Sequence, residues 1–159
     1  MKKVTVYVCL LCRLSVLLCA CGGIRDGSAA PEVDLPAFME ELLSRYELGA
    51  VEAAGEELTA AFYPGLSNLD PVQQVVYMPL ITGVVSEYVF LQCADKETAA
   101  RAAEILQARV DAQADGGAWY PESVENWAKA KVLVKGKYVA MIAAGEDTDS
   151  IAADFEKLF

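Results

Sequence analysis

The chain has 159 residues, 55% of them hydrophobic, and its 23 acidic against 13 basic side chains give a formal net charge of −10. Such a balance makes it a poor partner for nucleic acid or for an anionic lipid surface, both of which repel it. Without any histidine it has no Ser-His-Asp or Cys-His nucleophile system and no HExxH metal site, and no Walker loop or GxGxxG occurs.

The N-terminus opens Met1-Lys2-Lys3, continues almost wholly apolar, and closes on Leu17-Leu18-Cys19-Ala20-Cys21 followed by Gly22-Gly23. A basic start, an apolar stretch and small residues before a cleavage point mark an export signal. With Leu18 three positions upstream and Ala20 immediately before it, Cys21 resembles the cysteine of a bacterial lipobox. That resemblance implies removal of residues 1–20, diacylation of Cys21, and attachment to the cell membrane on its extracytoplasmic face. Two acyl chains meet the requirement for stable anchoring. The competing reading is an uncleaved transmembrane helix, which needs ~20 predominantly apolar residues. Arg13 near its middle counts against it by ~3 kcal/mol on insertion scales. Cleavage removes Lys2, Lys3 and Arg13 and no acid, so the net charge moves from −10 to −13. It also removes Cys9, Cys12 and Cys19, and lipid consumes Cys21. Cys93 is then the one remaining thiol, so neither an intramolecular disulfide nor a cysteine metal cluster is expected.

The segment from Gly22 to Pro31 is small and polar, and residues 21–32 read as a tether, spanning ~17 Å if flexible. A single domain is expected over residues 33–159. Asp34 offers an N-cap with Pro36 in the first turn, and Leu35, Phe38, Leu42 and Tyr46 recur at helical spacing. A second, weaker helical segment runs from Val51 to about Tyr63, interrupted by Gly55 and stopped by Pro64-Gly65. Gln73 to Met78 reads as an edge or terminal strand, because Pro79 cannot donate within a ladder. Ser86 to Ala94 is the clearest strand. Val89, Leu91 and Cys93 share one face, Tyr88 and Phe90 the other, and apolar residues on both sides predict a central, well-covered strand.

Asp95 caps a helix from Lys96 to about Asp115 whose apolar face is Ala99, Ala103, Leu106 and Val110, with Gly116-Gly117 as its stop. Trp119, Tyr120 and Pro121 connect to a short helix around Glu122 to Trp127. Ala130 to Ala144 is a hairpin. Placing Gly136-Lys137 at the loop centre sets Val134 opposite Val139 and Val132 opposite Met141, and glycine first suits a type II′ turn. Asp147 or Asp149 caps a last helix carrying Ile151, Phe155 and Leu158 on one stripe. This order favours an α+β two-layer sandwich, a mainly antiparallel sheet of three or four strands with helices packed on one face.

Chemistry-bearing signals are few, and no catalytic or metal-ligating residue is assigned and no cofactor expected. Cys93 shares a strand face with Val89 and Leu91 and reads as a buried thiol. Glu146-Asp147-Thr148-Asp149 lacks the glycine and distal glutamate of a calcium loop and reads as helix capping. The remaining carboxylates are scattered on helical faces. Tyr88, Phe90 and Tyr138 lie on the sheet face opposite the long helix, and with Trp119 and Tyr120 nearby they form either core or a binding surface.

Several motifs recur here in a known order: Val75-Val76-Tyr77-Met78-Pro79-Leu80, Glu87-Tyr88-Val89-Phe90-Leu91, Asp95-Lys96-Glu97, the hairpin Val132 to Val139, and Phe155-Glu156-Lys157-Leu158-Phe159. Together they resemble the domain of unknown function 4358, a family of small lipoproteins mostly from Gram-positive anaerobes. The resemblance spans about Val33 to Phe159. It implies envelope localisation and one α+β domain, and it carries no catalytic residues. The leading expectation is a lipid-anchored, non-enzymatic binding or accessory module with an envelope protein or ligand as partner. The alternatives are a small-ligand or peptide-binding lipoprotein with an aromatic pocket and, more distantly, a carboxylate-based hydrolase of envelope polymers.

Overall fold

The computed structural model describes residues 32–81 and 83–159. The expected signal, the candidate lipidation site Cys21 and the tether up to residue 31 lie outside the described residues.

Helix α1 (Leu35–Arg45) begins where expected. Asp34 accepts a hydrogen bond from the Ala37 amide at 3.0 Å, and Leu35, Phe38, Met39 and Leu42 form its buried face. The next segment departs from the sequence reading. Val51–Ala53 is a strand, β1, paired antiparallel with β2 (Gln73–Pro79), and helix α2 occupies only Glu56–Phe62. Gly55, read from the sequence as a weak point within a helix, is instead the N-cap of α2. The Ala54 amide donates to Val76 and the Leu80 amide to Ala50, so β1 satisfies the side of β2 expected to lie at an edge. Pro79 is tolerated because it stands at the last position of β2.

Strand β3 (Glu87–Gln92) is buried at all six positions and sits at the centre of the sheet. It is followed by α3 (Lys96–Ala112), a π-turn over Gln113–Gly117, α4 (Pro121–Ala128), and the hairpin β4 (Lys131–Lys135) and β5 (Tyr138–Ala143). The Asp95 carboxylate caps α3 by accepting from the Thr98 amide at 2.8 Å. Gly116 supplies the left-handed φ of +106° at the stop. The hairpin takes the expected register, with Val134 opposite Val139 and Val132 opposite Met141. Gly136 has a φ of +62° while Lys137 keeps a negative φ, as a type II′ turn requires.

Helix α5 (Thr148–Glu156) closes the domain, but its expected aspartate cap is absent. Asp147 occupies the N-cap position without a side-chain capping bond. Instead the Thr148 hydroxyl accepts from the Ala144 amide at 3.1 Å, and Asp149 meets Lys131 at 2.5 Å.

The expected α+β class stands: helices pack on an antiparallel sheet, ordered β1-β2-β3-β5-β4. The sheet has five strands rather than three or four, since β1 extends it. Helices also cover both of its faces. Val76, Met78, Val89, Leu91, Val139 and Met141 pack against Ala99, Ala102 and Leu106 of α3, with Tyr63 and Trp127 beside them. On the other face Val75, Tyr88, Phe90, Ala140 and Ile142 pack against α1 and α5. Phe90 anchors that second face, meeting Phe38 edge-on at 5.1 Å and stacking on Phe155 at 5.8 Å. Phe90→Ala removes the ring that both helices share and should lower stability by about 3 to 5 kcal/mol, read as a lower urea midpoint at unchanged slope. A loss below ~1 kcal/mol would mean that α1 and α5 do not depend on this contact.

Candidate functional site

The five aromatic residues singled out in sequence do not come together. Tyr88 and Phe90 are fully buried and Tyr138 is buried, all beneath α1 and α5. They are core, and the aromatic pocket that was to combine them with Trp119 does not form. Cys93 is buried as expected, and burial together with the nearby Asp95 charge pushes its thiol pKa up, away from the reactive thiolate. Trp119 and Tyr120 behave differently, with 96% and 61% of their surface exposed.

Both lie in the α3–α4 connection, which packs on the β2–β3 loop. The Ser123 hydroxyl donates to the Gly83 carbonyl at 3.0 Å, and Tyr120 stands so close to Gly83 that a Cβ there would lie 3.2 Å from its ring. The loop adds Leu80, Ile81 and Val84, all exposed. Leu80, Ile81 and Val84 of the loop are thus exposed at the same end of the sheet as Trp119 and Tyr120 of the connection. Between residues 110 and 128 the chain carries Asp111, Asp115, Glu122 and Glu125 and no lysine or arginine. Aromatic residues enriched on an exposed apolar surface are the composition of an interaction site. Leu80, Ile81 and Val84 were not singled out from the sequence. Their signal was a run of apolar residues in a loop, which gains meaning only once the loop is seen to meet Trp119 and Tyr120.

The opposite end of the sheet is where the chain enters the domain, roughly 17–20 Å away along the strands. There the Gln73 amide donates to the Val33 carbonyl at 2.8 Å while its oxygen accepts from the Leu35 amide at 3.0 Å. The Val33 amide reaches the Tyr138 hydroxyl at 3.4 Å, and Gln73 also bonds Gln92. The first residues of the domain are thus fixed to β2, β3 and β5.

Two charged clusters are structural in character. Glu87 at the start of β3 is buried and receives both ends of the Arg109 guanidinium, at 2.6 and 3.2 Å, and the Tyr63 hydroxyl at 2.7 Å. Arg109 lies between the rings of Phe62 and Trp127, 4.8 and 5.2 Å from their centroids. Burial and the Glu87 charge push the Tyr63 phenol far above its ordinary value, so it remains a donor. Every oxygen of Glu87 is thereby occupied. Elsewhere Glu56, Glu57, Ser67, Asp70 and Gln74 line an open groove of about 710 Å³. Its three carboxylates are exposed, without the apolar surroundings that general-acid catalysis near neutral pH calls for.

Residues 47–144 match the family model described as the domain of unknown function DUF4358. The chain belongs to the DUF4358 family. No curated protein and no solved structure is significantly similar to it. The DUF4358 segment contains all five strands with α2, α3 and α4, and it includes Leu80, Ile81, Val84, Trp119 and Tyr120. Helices α1 and α5, which cover the second face, fall outside the matched residues.

Asp154 ties those two helices together. Its carboxylate accepts from Lys157 at 2.8 Å, from Tyr46 at 2.7 Å and from Arg45 at 2.5 Å. The bonds from Lys157, Tyr46 and Arg45 hold its pKa at about 2, below the ordinary 3.8. A depressed carboxylate pKa contributes stability that is present above the unfolded value and is lost as pH falls through the folded one. Asp154→Asn should therefore show a shallower loss of stability than the wild type between pH 3.8 and about 2, compared by urea midpoints across that window. Parallel curves for the two proteins would show that Asp154 is not linked to folding.

Proposed function

We propose that this DUF4358 protein is a lipoprotein of the cell envelope. Residues 1–20 are its signal peptide, Cys21 its lipid-modified anchor at the extracytoplasmic membrane face, residues 21–32 its tether, and residues 33–159 its working domain. The domain acts as a binding or accessory module, presenting Leu80, Ile81, Val84, Trp119 and Tyr120 to an envelope protein. The observation that carries this reading is the exposure of Trp119, at 96%, at the end of the sheet away from Val33. Leaving a large aromatic ring in water gains nothing for the isolated domain, whereas tryptophan and tyrosine dominate the energetics of protein interfaces. The acidic α3–α4 segment, with Asp111, Asp115, Glu122 and Glu125, fits a partner whose apolar surface has a basic rim. The two faces of the sheet are already occupied by helices, which leaves its ends as binding surfaces.

The anchoring half of the proposal is tested by mass spectrometry of the N-terminal peptide from the membrane-bound protein. Acylated Cys21 is the expected first residue, and Cys21→Ala should leave the membrane fraction. An intact Met1 on the membrane-bound protein would sink the cleavage claim. For the binding half, a photocrosslinking side chain placed at position 84 should trap one defined partner in intact cells. Trp119→Ala with Tyr120→Ala should abolish that adduct, since losing an aromatic hot spot costs ~2 kcal/mol or more, about thirtyfold in affinity. An adduct that persists unchanged in the double variant would show that these residues are not the interface.

A further inference from the structure

We propose that a lysine-rimmed apolar groove at the Val33 end rests on an anionic phospholipid bilayer, so that the anchor orients the domain as well as retaining it. This rests on the anchoring reading above and adds a second contact with the membrane. Lys96, Lys135, Lys137, Tyr138 and Phe159 line an open groove of about 640 Å³ with predominantly apolar walls. Phe159 packs on Tyr138 at 4.9 Å and on Phe155 at 5.3 Å, yet keeps 53% of its surface exposed. Lys96 and Lys137 have no acidic partner among the described residues, whereas Lys135 meets Glu156 at 2.7 Å. The one acidic side chain lining the groove, Asp95, has its carboxylate engaged with the Thr98 amide. An aromatic ring among lysines with apolar stems and charged tips is the composition that settles at a lipid headgroup layer.

Position selects the bilayer over other anions. Tyr138 receives the Val33 amide, so the groove adjoins the point at which the tether joins the domain. The twelve residues from Cys21 to Val33 reach at most ~40 Å when fully extended, which keeps this end within reach of the surface that holds the lipid. Under the anchoring reading the chain without residues 1–20 carries −13, that is −10 less Lys2, Lys3 and Arg13, and is repelled by an anionic membrane. Unanchored, the domain is therefore not expected to bind, and the tether supplies the effective concentration that a small basic surface lacks. Glu56, Glu57 and Asp70 line a groove beside β2, across the sheet from β4. Their repulsion tilts the domain so that the hairpin side lies lower.

The test uses the full chain isolated from membranes, with the acylation state of Cys21 read by mass spectrometry on the same sample. It is reconstituted into vesicles of phosphatidylcholine alone or of equal parts phosphatidylcholine and phosphatidylglycerol, and acetylation of each lysine is followed. Lys96 and Lys137 should react roughly fivefold more slowly on the anionic vesicles, the size of effect one lysine gives near an anionic surface. Lys129, at the far end of the hairpin, should not change, and high salt should erase the difference. In the Lys96→Gln, Lys137→Gln variant any difference in Lys135 reactivity between the two vesicles should vanish, leaving only the pairing with Glu156 that it keeps on both. Acylated Cys21 with equal lysine reactivity on both vesicles overturns the docking and leaves the anchoring intact. Equal protection on phosphatidylcholine alone overturns the headgroup chemistry. Protection in native membranes that pure lipid does not reproduce assigns the groove to a protein and overturns the proposal. Unmodified Cys21 on the membrane-bound chain overturns the anchoring reading and the docking with it.

Discussion

The architecture follows from a single constraint, the burial of β3 on both faces. Val89 and Leu91 project to one side, Tyr88 and Phe90 to the other, and none has measurable contact with solvent beyond 1% of its surface. A strand of this kind needs a layer of apolar side chains above and below. Helix α3 supplies one through Ala99, Ala102 and Leu106, and α1 with α5 supplies the other through Phe38 and Phe155. The small side chains of α3 let that helix lie close to the sheet, while the opposite layer is filled by aromatic rings. The same strand begins with Glu87, whose burial imposes a second requirement. Arg109 and Tyr63 meet it, and they tie α3 and the end of α2 to the sheet. Removing either partner would leave a buried charge short of a donor, which is costlier than never having built the cluster.

Much of this was legible locally. Asp34 and Asp95 announce helix starts because a carboxylate followed by free amides has one favourable geometry. The hairpin register could be chosen from side-chain segregation alone, since a slip by one residue would have set Lys137 against Val134. What sequence missed was non-local. Strand β1 is three residues of Val, Glu and Ala with no alternation to read; β2 makes it a strand by offering unpaired backbone groups. The stripe of Ile151 and Phe155 on α5 says that the helix packs, but not on which face of the sheet. Apolar residues on both sides of β3 already demanded two covers, and that signal outweighs the element order that suggested two layers. At the start of α5 the sequence offers Asp147 or Asp149 as the cap; the path of the chain from β5 leaves Asp147 at the N-cap position without a capping bond and turns Asp149 to Lys131.

The candidate site was legible only in part for the same reason. Aromatic identity marks Tyr88, Phe90 and Tyr138 as strongly as Trp119 and Tyr120, because burial is a property of neighbours that a one-dimensional reading does not contain. The separation comes from what lies on top. Three of the five fall under helices outside the DUF4358 segment, and two fall in a connection that no element covers. The loop residues Leu80, Ile81 and Val84 become part of a surface through Gly83, where the absence of a side chain lets the Tyr120 ring approach.

With both sheet faces occupied, the exposed Trp119 and Tyr120 and the half-exposed Phe159 sit at opposite ends of the strands, and those ends differ in kind. At the Val33 end, Gln73 fixes the incoming backbone to three strands, and the groove beside it combines cations with a single half-exposed ring. At the other end, loops present several large apolar side chains within an acidic stretch, held against each other by the Ser123–Gly83 bond. A rigid sheet carrying loops is a usual way to display a recognition surface, because the strands fix the position while the loops supply the shape. Under the proposed anchoring, the sheet also sets the direction of display. A tether that joins at one end of antiparallel strands leaves the opposite end facing away from the lipid, by roughly the length of a six-residue strand plus its loops. The burial of β3 then has a functional consequence. By committing both faces to packing, it leaves the ends of the strands for the proposed membrane-side and partner-side surfaces.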